Sequence, residues 1–150
     1  MIVVAVVTLL TAIAVPSFLR ARSRTRLARF ANELRIVRDG FDLYASEHNG
    51  YPPDAEPFTL PPAIRSYFGP KIDWSVPTPI GGHWDWDNQY VGITGVSVWT
   101  TTSREVMTEV DAMVDDGDLS TGSFRETQAN RYTCLLGDQS QQQATAARQR

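Results

Sequence analysis

Apolar and polar positions sort this chain into stretches of unlike character. Met1 to Leu19 contains no charged side chain, and the next nineteen residues contain seven arginines. As a helix the first stretch would be about 28 Å long, against roughly 30 Å of bilayer hydrocarbon. The run Met-Ile-Val-Val-Ala-Val-Val-Thr-Leu-Leu-Thr-Ala-Ile-Ala-Val-Pro therefore predicts a rod buried in lipid or in other chains, with a buried core helix as the alternative. Thr8, Thr11, Pro16 and Ser17 dilute its apolar character, and Pro16, lacking a backbone donor, should loosen the turn before it. A cleaved signal sequence fits less well, because its basic residues would precede the apolar run and here they follow it.

The pattern then turns amphipathic. Leu27, Phe30, Leu34, Val37, Phe41, Tyr44 and His48 recur at steps of three and four, which places them on one helical face. Glu33 can reach Arg29 one turn away. Gly40 disfavours this helix by roughly 1 kcal/mol relative to alanine. Asn49-Gly50 supplies a stop and Pro52-Pro53 forbids continuation. Residues 51–80 hold every proline but Pro16, so they read as an irregular loop with one short helix at Pro62–Phe68.

Alternation replaces helical period from His83. His83-Trp-Asp-Trp-Asp87 predicts a strand with tryptophans on one face and aspartates on the other. Asn88-Gln89 predicts a turn into a second strand over Tyr90–Thr100. There Val91 and Ile93 have one parity and Val96 and Val98 the other, which a bulge near Gly95 would reconcile. Thr102 with Glu105 is a capping-box pattern, followed by a helix burying Val106, Met107, Val110, Met113 and Val114 and ending at Asp116-Gly117. Arg131–Leu136 reads as the last strand. The polar end, residues 139–150, predicts a disordered tail. The expected fold class is α+β: one long N-terminal helix, apolar then amphipathic, on a small antiparallel sheet of three to four strands with one further helix.

Charge sharpens this division. The whole chain is at −3, yet residues 1–38 hold seven arginines against the single acid Glu33, and the remainder holds seven basic and sixteen acidic side chains. The basic block beside an apolar rod suits anionic lipid headgroups, while the acidic remainder argues against a nucleic-acid-binding domain. Candidate chemistry is sparse. There is no phosphate-cradling glycine loop, zinc pattern or nucleophile elbow. His48 and His83 have ordinary helix-end and strand positions, Cys134 reads as a small buried hydrophobe, and no enzymatic activity is expected. Trp84 and Trp86 suit core packing, with a sugar-stacking platform as the alternative. One oxygen-rich loop stands out: Asp111, Asp115, Asp116 and Asp118 precede Leu119-Ser-Thr-Gly-Ser-Phe124. Asp115, Asp116 and Asp118 are candidate calcium ligands, since calcium takes carboxylates, hydroxyls and carbonyls. The alternative is a helix end with solvated acids.

Met1-Ile-Val-Val-Ala-Val-Val with Ala12-Ile-Ala-Val-Pro-Ser-Phe18 resembles the N-terminal helix of type IV pilins and of the major pseudopilins of type II secretion. Asn32-Glu-Leu-Arg-Ile-Val-Arg-Asp39 and Tyr44-Ala-Ser-Glu-His-Asn-Gly-Tyr-Pro-Pro53 are similar to pseudopilin helix and helix-end sequence. Beyond about residue 60 the likeness is one of layout. The resemblance implies a basic leader, a glycine, a phenylalanine and a glutamate ahead of Met1, where a prepilin peptidase would cut and the new N-terminus would be methylated. Such a leader would also settle orientation, since the arginines after the rod would otherwise hold that side in the cytoplasm. The implied protein is a filament subunit, single-pass in the bacterial inner membrane before assembly, with its head on the periplasmic side. Its partners would be copies of itself, minor pseudopilins, an inner-membrane assembly platform and membrane lipid, with no nucleic acid. Residues 1–24 would be the membrane and filament-core half of the helix, through Ile2, Val3, Val4, Val6, Val7, Leu9, Leu10, Ile13, Val15 and Pro16. Residues 25–138 would be the head, joined to the helix through Leu27, Phe30, Leu34, Val37, Phe41 and Tyr44. Major pseudopilins use calcium in their C-terminal region, which the resemblance extends to the acidic loop. The competing reading is a monomeric membrane-anchored binding module for calcium, sugar or DNA.

Overall fold

The computed structural model describes residues 2–69 and 72–137, the side chains of 2, 5–14 and 16 excepted. The tail over 139–150 lies outside the described residues. A single helix, α1 (Ile2–His48), leads the chain. After the proline-rich segment come β1 (His83–Tyr90), β2 (Ile93–Trp99), α2 (Arg104–Val114), β3 (Phe124–Gln128) and β4 (Arg131–Leu135). The four strands form one antiparallel sheet in the order β1-β2-β4-β3. The class is α+β.

Among the described side chains of α1, the buried ones all lie in its second half. Leu27, Phe30, Ala31, Leu34, Val37 and Phe41 are buried, and Tyr44 is half-buried. Each large apolar side chain so covered contributes on the order of 2 kcal/mol. They meet the sheet face carrying Trp84, Trp86, Val96, Val98, Tyr132, Cys134 and Phe124. Phe30 stacks on Trp84 with centroids 5.1 Å apart, and Phe41 on Trp86 at 3.9 Å. His48 continues the spacing but is exposed, stacked on Tyr44 beyond the end of the sheet. Arg29 Nε donates to Glu33 Oε1 at 2.9 Å, one turn on. The helix stops where Asn49 turns left-handed with φ of 55° and Pro52-Pro53 follows.

The proline-rich segment folds onto this layer through a 3₁₀ turn at Pro62–Tyr67 that buries Ile64. Phe68 behind it lies over Gly40, where a Cβ would come within 2.4 Å of the Phe68 Cε1. Glycine in mid-helix is therefore a requirement of close approach rather than a tolerated weakness.

The β1–β2 hairpin turns later than expected. β1 runs on to Tyr90, with a register shift between Asn88 and Tyr90 and a left-handed Gln89 at φ of 61°. The reversal falls at Val91-Gly92, both at positive φ. Gly95, the expected bulge, instead pairs in regular register with Asp87 and Leu135. Because Val91 sits in the turn and is exposed, its parity conflict with Val96 and Val98 disappears. The α2 cap also moves by one residue: Ser103 is the N-cap, while Thr102 Oγ1 donates to the Ile80 carbonyl at 2.8 Å. Of the helix's expected buried set, Met107 and Val110 are buried, Val106 and Val114 half-buried, and Met113 is 37 % exposed. Asp111 is buried instead. β3, with the sequence Phe-Arg-Glu-Thr-Gln, is an edge strand that the pattern did not announce.

Candidate metal centre and the uncovered helix

The acidic loop is built by the end of α2. Asp111 lies one turn before Asp115, so both carboxylates leave the same face. Asp115 ends the helix, its N–H returning to the Asp111 carbonyl at 2.6 Å. Gly117, at φ of 82°, then folds the chain back. Ligand oxygens of Asp111, Asp115 and Asp116 lie within 4.8 Å of one another. Asp118 is outside this group: its Oδ1 accepts from Ser120 N at 3.0 Å and Ser120 Oγ at 2.6 Å. Asp116 accepts from Asp118 N at 2.9 Å and from Thr121 Oγ1 at 2.7 Å. Asp115 Oδ2 accepts from the amides of Ser123 and Phe124, the latter at 3.0 Å, which ties the loop to the start of β3.

Asp111 differs from the others. It is 0 % exposed, and neither carboxylate oxygen has a hydrogen-bond partner among the described residues. Burial, and then the charges of Asp116, Asp115 and Asp118, push its pKa up to about 6; the Gly117 amide opposes this without completing a hydrogen bond. Asp116 and Asp118 are lowered, by the Asp118 amide for the first and by Ser120 for the second. A buried unpaired carboxylate beside two exposed ones fits a hard cation with oxygen ligands, calcium foremost. The sequence places Asp111 in the acidic stretch but points to Asp115, Asp116 and Asp118 as the ligands; the structure groups Asp111 with Asp115 and Asp116, on the face of α2 one turn after the buried Met107. The signal was available in the four-residue spacing of Asp111 from Asp115.

Among the described residues, His48, His83 and Cys134 join no such arrangement. Cys134 is buried and its thiol is pushed up to about 11, chiefly by desolvation, which keeps the nucleophilic thiolate scarce. Trp84 and Trp86 lie under α1, 2 % and 1 % exposed, so neither is open to a sugar. The aspartates between and beside them are on the opposite sheet face, and they are buried too. Arg131, 3 % exposed, pairs there with Asp87 and with Asp85 Oδ2 at 3.2 Å, and its Nε donates to Ser97 Oγ at 3.2 Å. Its guanidinium lies 5.1 Å from the Trp99 ring centroid and 5.8 Å from that of Tyr90. Desolvation raises the Asp87 pKa against the lowering influence of Arg131 and Ser97. Phe58 N and Trp99 Nε1 also donate to Asp85, each at 3.1 Å, so the cluster anchors the proline-rich segment around the β1 edge.

The first half of α1 has a different surface. Val3, Val4, Val15, Phe18 and Leu19 are exposed, as is every residue from Ser17 to Arg26. Ile2, Val6, Val7, Leu9, Leu10, Ile13 and Pro16 lie outside the described side chains. Among the described residues no helix is long and apolar enough to cross a membrane.

Compared with protein-family models, with curated proteins and with solved structures, the chain finds no significant match in any of the three.

Proposed function

We propose that the chain is the structural subunit of a type IV pilus-like or type II secretion pseudopilus filament. On this reading it is anchored in the bacterial inner membrane as a single pass with a periplasmic head, and then polymerises through the apolar half of α1. The observation that carries the reading is the unequal burial along one helix. From Leu27 onward α1 is covered by its own head, whereas Val15, Phe18 and Leu19 are 55 %, 68 % and 56 % exposed. Uncovered apolar surface of that extent calls for lipid or for the same surface on other copies. Ala5, Ala12 and Ala14 are small enough to let such helices approach closely. The pilin-like wording of residues 1–19 supports the same conclusion. Minor pseudopilins, an assembly platform and a prepilin peptidase are the partners this role requires. The chain itself is a moving part and not an enzyme. Calcium held by Asp111, Asp115 and Asp116 would fasten the end of α2 to the start of β3.

The test is a charge in the apolar half. Val7→Asp in the full chain should abolish membrane retention and cross-linked multimers while the tryptophan near-UV signal of the head persists. A head that unfolds with this change, or an unaltered chain that is monomeric in plain buffer, contradicts the reading. The three-carboxylate centre gives some support to a second reading, a monomeric membrane-anchored binding module. Membrane retention without multimers at any expression level would favour it.

A further inference from the structure

Immediately after the exposed Val15, Phe18 and Leu19, α1 presents Arg20, Arg22, Arg24 and Arg26, all exposed. At about 100° per residue they form two pairs on opposite sides of the helix and so encircle it. They climb about 9 Å along the axis, close to the depth of one headgroup layer, roughly 5–8 Å. Among the described residues none of the four is paired with an acid, and no acidic residue precedes Glu33 in the sequence. Arg29, next in line, already bonds Glu33 at 2.9 Å. Four uncompensated guanidiniums in a ring, bordered below by apolar side chains, match a layer of phosphates lying over hydrocarbon. A nucleic-acid duplex would satisfy the arginines but leave Phe18 and Leu19 in water.

We propose that Arg20, Arg22, Arg24 and Arg26 form a collar that binds the phosphates of acidic phospholipid headgroups at the membrane face from which the head emerges. The inference rests on the membrane-anchored reading and adds a lipid preference to it. Guanidinium forks bind phosphate oxygens two at a time, and the long stems let the charges spread within the headgroup layer. The collar then fixes the depth at which α1 leaves the bilayer, with Leu27 and the head just clear of it.

The full chain, carried in detergent, is diluted in parallel into vesicles of phosphatidylcholine alone and of phosphatidylcholine with one-third phosphatidylglycerol, and flotation is followed across a lipid titration. Half-maximal flotation is expected at roughly tenfold less lipid in the anionic series, with the ratio collapsing toward one in molar salt, where the screening length falls to about 3 Å. R20Q/R22Q/R24Q/R26Q should float equally with both vesicles and keep the head's near-UV signal, while R29Q should retain most of the preference. Equal flotation of the unaltered chain in both series overturns the collar and leaves the anchor standing. A quadruple variant that keeps the preference also overturns it. Collar-dependent binding to a duplex oligonucleotide without any lipid preference assigns the arginines to nucleic acid instead. Absence of flotation with either vesicle removes the anchor itself and the collar with it.

Discussion

A carboxyl group with no exposure and no hydrogen-bond partner, facing three other aspartates, works against folding whenever it is ionised. For Asp111 the folded value of about 6 lies above the ordinary 3.8. The folded state therefore keeps the proton to higher pH than the unfolded chain does, and its advantage at this site is complete below about pH 4 and lost as pH rises through about 6. The difference is on the order of 3 kcal/mol. With chelator present, Asp111→Asn should raise the melting temperature at pH 7 and leave it unchanged near pH 4. Comparing the two proteins isolates this site from Asp116 and Asp118, whose lowered values act in the opposite sense. With calcium the order reverses, because the cation stabilises the wild type by binding only the folded form and the variant lacks a ligand. Calcium that moves neither melt removes the metal centre. Gly40 gives a second prediction. Alanine would gain about 1 kcal/mol of helix propensity, but its Cβ would enter the ring of Phe68, held between Phe41 and Trp74. Overpacking of that kind costs roughly 1–3 kcal/mol, so Gly40→Ala should lower stability in urea melts, and adding Phe68→Leu should recover part of the loss.

At the level of elements, what the sequence reveals depends on how local the cause is. The buried face of α1 could be read from Leu27, Phe30, Leu34, Val37 and Phe41 because helical period is set within the helix. Trp84 and Trp86 sharing a face, with Asp85 and Asp87 opposite, follows from pleat alone. That the aspartates are buried does not, because their cover is Arg131, Tyr90, Trp99 and the segment around Phe58, brought together by pairing across the sheet. β3 was illegible for a like reason: Arg125, Glu126 and Thr127 carry no apolar alternation, and only pairing with β4 makes them a strand. In the acidic loop, nearness in sequence suggested Asp118, but a local hydrogen bond to Ser120 turns its carboxylate aside. Helix geometry brings in Asp111. The outer-face cluster invites its own test. Arg131→Ala leaves two buried carboxylates facing each other and should cost about 3–5 kcal/mol, read as a drop in the urea midpoint. A loss below about 1 kcal/mol would mean that water reaches Asp85 and Asp87 and that the cluster is not a buried one.

For the molecule as a whole, the proposed filament role has one covalent helix serve two environments, and the border between them should be a chemical one. Residues 17–26 are exposed, and among the described side chains Leu27 is the first buried one. A helical segment without tertiary packing is marginal at this length and opens locally without disturbing the rest. In detergent, limited trypsin should therefore cut first after Arg20, Arg22, Arg24 or Arg26, and release a head that begins near Leu27 and melts as it did in the intact chain. Arg131, at 3 % exposure, should be among the last sites cleaved. If head stability drew on the first half of α1, the same cuts would lower its melting temperature or broaden the transition, and α1 would then be a core helix throughout. An unchanged melt would mean that the apolar half contributes nothing to the head's own stability. Its stretch of uncharged residues would then need a partner outside the chain to account for it.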